Sequence, residues 1–184
     1  HNVLAHIDNL TDVIKGVVNL LTKDGVFVIE VGYFADVYLN KWFDTIYHEH
    51  LDYHTVNPFK FLFDRYGLEM VNVDRIEPQG GSIRVISKFK NPNNKISPNI
   101  KKLIVFEKKI GLLDSSKVKK FGKEILSVKK KLKTILTNIK NDNKSIAAYG
   151  APTKATTLLS YFEIDNSFID FVVDDNKLKQ GLYM

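Results

Sequence analysis

Apolar residues at Val13, Val17, Leu20 and Leu21 recur in steps of three and four, which predicts an amphipathic helix over 10–21, stopped at Asp24-Gly25. Val26 to Val31 is instead almost uninterrupted and β-branched, the pattern of a central parallel strand covered on both faces. Helix followed by strand is one step of an open α/β sheet. Gly32, Tyr33 and Phe34 then fall just past the carboxyl end of the strand, where such sheets place their ligands.

Pro58 to Tyr66 reads as a short helix closed by Gly67, and Glu69 to Ile76 and Ser82 to Phe89 read as two strands joined through Pro78-Gln79-Gly80-Gly81. This pair is an antiparallel addition to the sheet. Asn91 to Pro98 is polar and proline-bearing, a loop or linker. Beyond it, Val118, Phe121, Ile125, Val128, Leu132, Ile135 and Ile139 align one apolar stripe along a helix. Ser145 to Tyr149, the turn Gly150 to Lys154, a helix over 155–162 and Phe168 to Val173 make a βαβ unit ending at Asp174-Asp175, with both strands read as buried. The expected domains are 1–90, a linker with lysine-rich helices over 91–143, and a second α/β domain beginning at 144. That last domain reads as cut short, because two parallel strands cannot bury both faces of a sheet.

Composition removes several classes. The 184 residues are 44% apolar and 26% charged with no cysteine, which excludes disordered, collagen-like and disulfide-stapled chains, and also thiolate chemistry and cysteine-ligated zinc. No apolar run approaches the roughly 20 residues of a membrane span, so a cytoplasmic protein without membrane association is expected. The chain begins at His1 and reads as a piece of a longer one. Its net charge of +6 is local: between Asn99 and Lys144, 14 lysines face only Glu107, Asp114, Glu124 and Asp142. Those lysines lie mostly off the apolar stripe, as a solvated helix face does. Arginines and aromatics are not interleaved as in chains that grip single-stranded nucleic acid, so no nucleic-acid partner is expected.

Chemistry concentrates between Asp44 and His54, where three of the five histidines stand with two tyrosines and three carboxylates. A zinc-protease motif needs Glu after the first His of an i, i+4 pair; His50 and His54 have the spacing, but Leu51 takes the glutamate position, and no metal is assigned. Acid–base work is the better use of these groups: imidazole titrates near neutrality, and tyrosine can donate to a developing oxyanion. Elsewhere, the Gly150–Lys154 turn offers N–H groups and an ammonium to an anion, or is simply a turn. Arg84 could reach a phosphate or salt-bridge within the sheet. Glu30, ending the apolar strand, could face a ligand or be held by a neighbouring loop.

Five ordered stretches, Asn2-Val3-Leu4-Ala5-His6-Ile7, Val28-Ile29-Glu30-Val31, Tyr47-His48-Glu49-His50-Leu51, Gly80-Gly81-Ser82-Ile83-Arg84-Val85 and Gly150-Ala151-Pro152-Thr153-Lys154, resemble the S-adenosylmethionine-dependent C-methyltransferases of nucleotide-linked keto-deoxysugars. The resemblance spans nearly the whole chain. It implies the carboxyl-terminal half of a Rossmann-like methyltransferase domain with an antiparallel addition, a helical connector, and the start of a second Rossmann-like domain, the sugar nucleotide lying between the two. The zinc of the family belongs to an amino-terminal cysteine-rich module that has no counterpart here. On this resemblance His50 is the general base; Tyr47 and Glu49 position substrate or stabilise an enolate; His6 is a further polar contact. His48, Tyr33, Arg84 and Lys154 fall to the substrate, and Asn2, Leu4 and Glu30 to S-adenosylmethionine.

A sugar carbon attacks a methyl group only after losing a proton, and the adjacent ketone makes that loss feasible. A positioned base contributes roughly 10² to 10⁴ in rate and one aimed donor roughly 3 kcal/mol, so a histidine base with a Tyr or His donor is on the needed scale. The competing class is a sugar-nucleotide or partner-binding module without catalysis.

Overall fold

The computed structural model describes residues 1–184, apart from the side chain of Gln79. It is a mixed α/β chain whose contacts fall into two compact units, residues 1–40 with 48–118 and residues 41–47 with 119–184.

In the first unit a 3-10 turn, Leu4–His6, precedes α1 (Leu10–Leu20), β1 (Phe27–Gly32), α2 (Phe34–Asn40), α3 (Val56–Arg65), β2 (Leu68–Ile76), β3 (Ser82–Phe89) and α4 (Pro98–Ile110). Local chemistry sets the helix ends. Asn9 caps α1 by accepting from the Asp12 N–H at 3.3 Å. Ser97 and Pro98 open α4, and Gly111 closes it in the left-handed region at φ 88°.

The three strands form one antiparallel sheet in the order β1-β3-β2. The pairing observed for β1 is antiparallel, with β3, and among the described residues no parallel strand stands beside it, so the expected central parallel position is not what this sheet displays. A continuous apolar run records burial but not pairing direction, and here even the burial is uneven, since Val28 is 39% exposed. Ile29, Val85 and Val73 stand in register on the core face. They join a core that includes Ile14 of α1, Phe59 and Phe63 of α3, and Ile100 of α4; each such side chain contributes roughly 1.5–3 kcal/mol on burial. Glu30, Arg84 and Asp74 line up across the opposite face. Gly81 closes the β2–β3 turn at φ 139°, and a Cβ there would overlap the Asp36 carboxylate, so only glycine fits.

The second unit contains most of α5 (Ser115–Asn141), then β4 (Ala147–Tyr149), α6 (Thr153–Phe162) and β5 (Phe171–Val173). The two strands are parallel, with Ala147 opposite Phe171, so the expected strand–turn–helix–strand is present. They are not buried as expected: Tyr149 is 74% and Phe171 57% exposed, because a two-stranded ribbon cannot cover both of its faces. Phe43 from the segment 41–47 stacks on Phe162 with centroids 4.8 Å apart.

The apolar stripe of α5 is also corrected in part. Phe121, Ile125 and Leu136 are buried, whereas Val128 and Ile135 are exposed. The expected positions repeat every 3.5 residues, and such a stripe drifts off one face of a straight helix with 3.6 residues per turn. Lys129 takes the inward place instead, its amine 2.8 Å from Glu163 and over the Tyr161 ring. Lys133 pairs with the same carboxylate at 3.3 Å. No described helix is long and apolar enough to cross a membrane.

Candidate active site

The candidate site lies beyond the carboxyl end of β1, in the first unit. Tyr33 leaves the strand with its N–H on the Gly81 carbonyl, and its backbone bridges His54 in parallel, with Phe34 N–H donating to the His54 carbonyl at 3.0 Å. The chain from His50 to Thr55 contains no helix or strand, and His54 makes that isolated bridge. It is a strap, and its course is set by what holds its ends.

The 3-10 turn at Leu4–His6 holds one end. Leu51 N–H donates to the Ala5 carbonyl at 2.7 Å, and His6 Nδ1 lies 2.7 Å from the Glu49 carbonyl oxygen. A carbonyl only accepts, so His6 carries its proton on Nδ1 and presents Nε2 outward. The His6 and His50 rings lie 5.0 Å apart, tilted by 53°. Tyr53 meets His50 edge-on at 6.3 Å and Phe34 at 5.8 Å. His6, His50 and Tyr53 thus form one row of rings, His50 half-buried and His6 exposed. Such a row can take up a proton and donate a hydrogen bond at neighbouring positions.

Glu107 of α4 holds the other end. Its carboxylate accepts from the Val56 N–H at 2.7 Å, from the Tyr33 hydroxyl at 3.0 Å and from the Asn57 N–H at 3.5 Å. It therefore caps α3 from another helix, satisfying N–H groups that a helix start leaves without partners. Burial raises the Glu107 carboxyl above its usual range, against the pull of those donors. Burial, with the Glu107 charge, also raises the Tyr33 phenol.

Several expected site residues are engaged in structural contacts. The Tyr33 side chain, expected at the substrate, is fully buried with its hydroxyl on Glu107. The Leu4 side chain, expected at the cofactor, is buried in the core. Glu30 is buried and paired with Arg84 at 2.8 Å, the strand alternation having placed the two opposite each other. Arg84 remains partly open to solvent. Asn2 is exposed, its N–H on the Glu30 carbonyl at 2.7 Å. His48 and Glu49 are exposed, and half-buried Tyr47 closes the segment that groups with the second unit. Lys154 is exposed in the first turn of α6, while the Ala151 N–H of that glycine turn is already capped by Asp174 at 2.7 Å.

His54 differs from its neighbours. Its ring is buried and stacked on Phe59 at 4.6 Å. It donates to the Leu4 carbonyl, and Nε2 is buried without a hydrogen-bond partner among the described residues. The donor is therefore Nδ1. Burial lowers its pKa, outweighing Asp52 and that hydrogen bond. Because 50–54 is not helical, the i, i+4 spacing does not bring His50 and His54 to one face; among the described residues no group of three His, Asp or Glu side chains is placed for a metal.

Glu107 escaped the sequence reading, hidden among lysines. A signal was present: Ile100, Leu103, Ile104 and Glu107 follow steps of three, one and three, which puts the carboxylate on the apolar stripe of α4. The second missed group is Asp36, buried and ion-paired with Arg75, whose guanidinium lies over Phe106.

Comparison with known proteins supports the family resemblance. The chain is 32% identical to the C-methyltransferase NovU of Streptomyces niveus over 177 residues, 96% of this chain and 42% of that protein. It thus spans less than half the length of this curated relative. The family described as the C-methyltransferase C-terminal domain matches residues 77–184, which carry Arg84, Glu107 and Lys154. With more than half of its length matched, the chain belongs to the C-methyltransferase C-terminal domain family.

Proposed function

We propose that the chain supplies the proton-abstracting groups for S-adenosylmethionine-dependent C-methylation of a nucleotide-diphosphate 4-keto-deoxysugar at the carbon next to the ketone. The observation that carries this reading is the pairing of His50 with His6, whose Nδ1 is committed to the Glu49 carbonyl. Family membership supports methyl transfer in general.

The neutral His50 imidazole takes the proton from the carbon beside the ketone. The C–H electron pair moves into the carbon–carbon bond, and the carbonyl electrons move to oxygen, giving an enolate. Tyr47 is the candidate donor to that oxygen, His6 is a further polar contact, and Glu49 and His48 position the sugar. Arg84 in the first unit and Lys154 in the second are separate candidates for a phosphate contact.

The methyl donor supplies an electrophilic sulfonium methyl. Of the residues expected to hold it, Leu4 is in the core and Glu30 is taken by Arg84, which leaves Asn2 exposed. These three do not make a donor site by themselves, and the steps assigned to this chain are those of the proton. We read the arrangement as part of a Rossmann-like methyltransferase domain followed by the start of a second such domain.

The test uses the full-length enzyme with S-adenosylmethionine and a panel of nucleotide 4-keto-6-deoxysugars, followed by mass spectrometry. The expected product gains one methylene and loses the hydrogen next to the ketone, and His50→Gln loses at least about 10²-fold in turnover. Tight sugar-nucleotide binding with no mass change across the panel would instead identify a binding module.

A further inference from the structure

Glu107 is a buried carboxylate that the proton transfer does not use. Its three donors come from two places: Tyr33, just after β1, and Val56 and Asn57, which open α3. Those two places are joined by the backbone bridge between Tyr33 and His54. One side chain therefore fixes both sides of the bridge at which the strap enters α3. Between His50 and that anchor lie five residues without helix or strand. His50 thus lies between the contacts of Leu4–His6 on one side and the Glu107 anchor on the other.

We propose that Glu107 is a positioning residue for His50, holding the strap 50–55 so that the imidazole meets the hydrogen to be removed. The proposal rests on the functional reading above. Glu107 touches neither substrate nor His50, and it acts through the backbone of 54–57. Proton transfer demands heavy atoms within hydrogen-bond reach, and a displacement of about 1 Å can cost 10²-fold. Ground-state binding of the sugar nucleotide, spread over many contacts, is far less sensitive to where one imidazole sits.

The geometry distinguishes two substitutions. Oε1 accepts both short bonds, from Tyr33 and Val56, whereas Oε2 receives the 3.5 Å contact from Asn57. Glu107→Gln keeps one carbonyl oxygen and can retain both short bonds. Glu107→Met has a similar length and no strong acceptor.

In the full-length enzyme, Glu107→Met is expected to lower kcat for methyl transfer at least about tenfold. KM for the sugar nucleotide and Kd for S-adenosylmethionine should each stay within about threefold, and Glu107→Gln should recover kcat to within about threefold of wild type. Amide hydrogen exchange supplies a readout independent of activity: Glu107→Met should speed exchange at Leu51 and over 54–57 while β2 and β3 stay protected. A folded Glu107→Met enzyme with wild-type kcat and unchanged exchange over 50–57 overturns the proposal. So does equal loss in the Gln and Met variants. If Glu107→Met does not fold, Val56→Pro removes the N–H donor at a first-turn position that tolerates proline, and the same two readouts apply. If the wild-type enzyme transfers no methyl group, the functional reading fails, while the exchange pattern still decides whether Glu107 anchors the strap.

Discussion

Burial of His54 has a measurable consequence for stability. The ring is 7% exposed, stacked on Phe59, bonded to the Leu4 carbonyl through one nitrogen and bare at the other. Its folded pKa lies below the ordinary value near 6.5. The unfolded chain takes up a proton below about pH 6.5 that the native ring refuses, so the native state loses stability as pH falls from that point toward the folded pKa. One proton per molecule corresponds to about 1.4 kcal/mol per pH unit. At pH 7.5 the penalty is close to nil, and it grows toward lower pH by at most about 1.4 kcal/mol per unit, levelling off at the folded pKa. His54→Phe removes it. The phenyl ring keeps the stack on Phe59 and ends the burial of an unpartnered nitrogen, at the loss of one hydrogen bond of about 1 kcal/mol. Whatever the net change at pH 7.5, the variant should gain stability relative to wild type on going to pH 5.5, by up to about 1.4 kcal/mol. Urea denaturation of the full-length protein and the variant at both pH values measures this, because other titrating groups are common to both. An identical difference at the two pH values would mean that the native ring accepts the proton, and would refute the sealed histidine.

Other substitutions test neighbouring parts. Tyr33→Phe removes the hydroxyl that reaches Glu107 and should lower stability by about 1–3 kcal/mol in denaturant unfolding; an unchanged midpoint would mean that the bond contributes nothing. Gly81→Ala sets a Cβ against Asp36 at a positive φ and should cost at least about 1–3 kcal/mol, read as a lower Tm, whereas Gly16→Ala, with open space around it, should not. Arg84→Ala leaves the buried Glu30 carboxylate without its partner. Because the arginine is partly solvated, the loss should fall between the ~1 kcal/mol of exposed pairs and the ~3–5 kcal/mol of buried ones, and Glu30→Gln in the same background should restore part of it.

Local features of the fold were legible because they are written locally. The β2–β3 hairpin followed from two strand-like runs flanking Pro78 to Gly81, and α3 from its stop at Gly67. The pairing of β1 was not legible, since Val26 to Val31 would read the same in a parallel or an antiparallel sheet. In α5, the choice between Ile135 and Leu136 as the inward residue depends on a drift of about 20° per heptad, finer than an apolar count resolves. At the site, His50 and His54 looked equivalent in sequence. What separates them is the course of a strap held by Ala5, His6 and Glu107, and none of those contacts is near in sequence. The burial of Tyr33 was not legible for a related reason, since Glu107, which covers its hydroxyl, arrives from 74 residues away.

The most direct test of the account follows the proton itself. The full-length enzyme is incubated in deuterium oxide with a nucleotide 4-keto-6-deoxysugar, without the methyl donor, and exchange at the carbon beside the ketone is followed by NMR. Wild type should wash deuterium into that position, and His50→Gln should do so at least about 10²-fold more slowly. Equal exchange by the two enzymes would show that another group removes the proton.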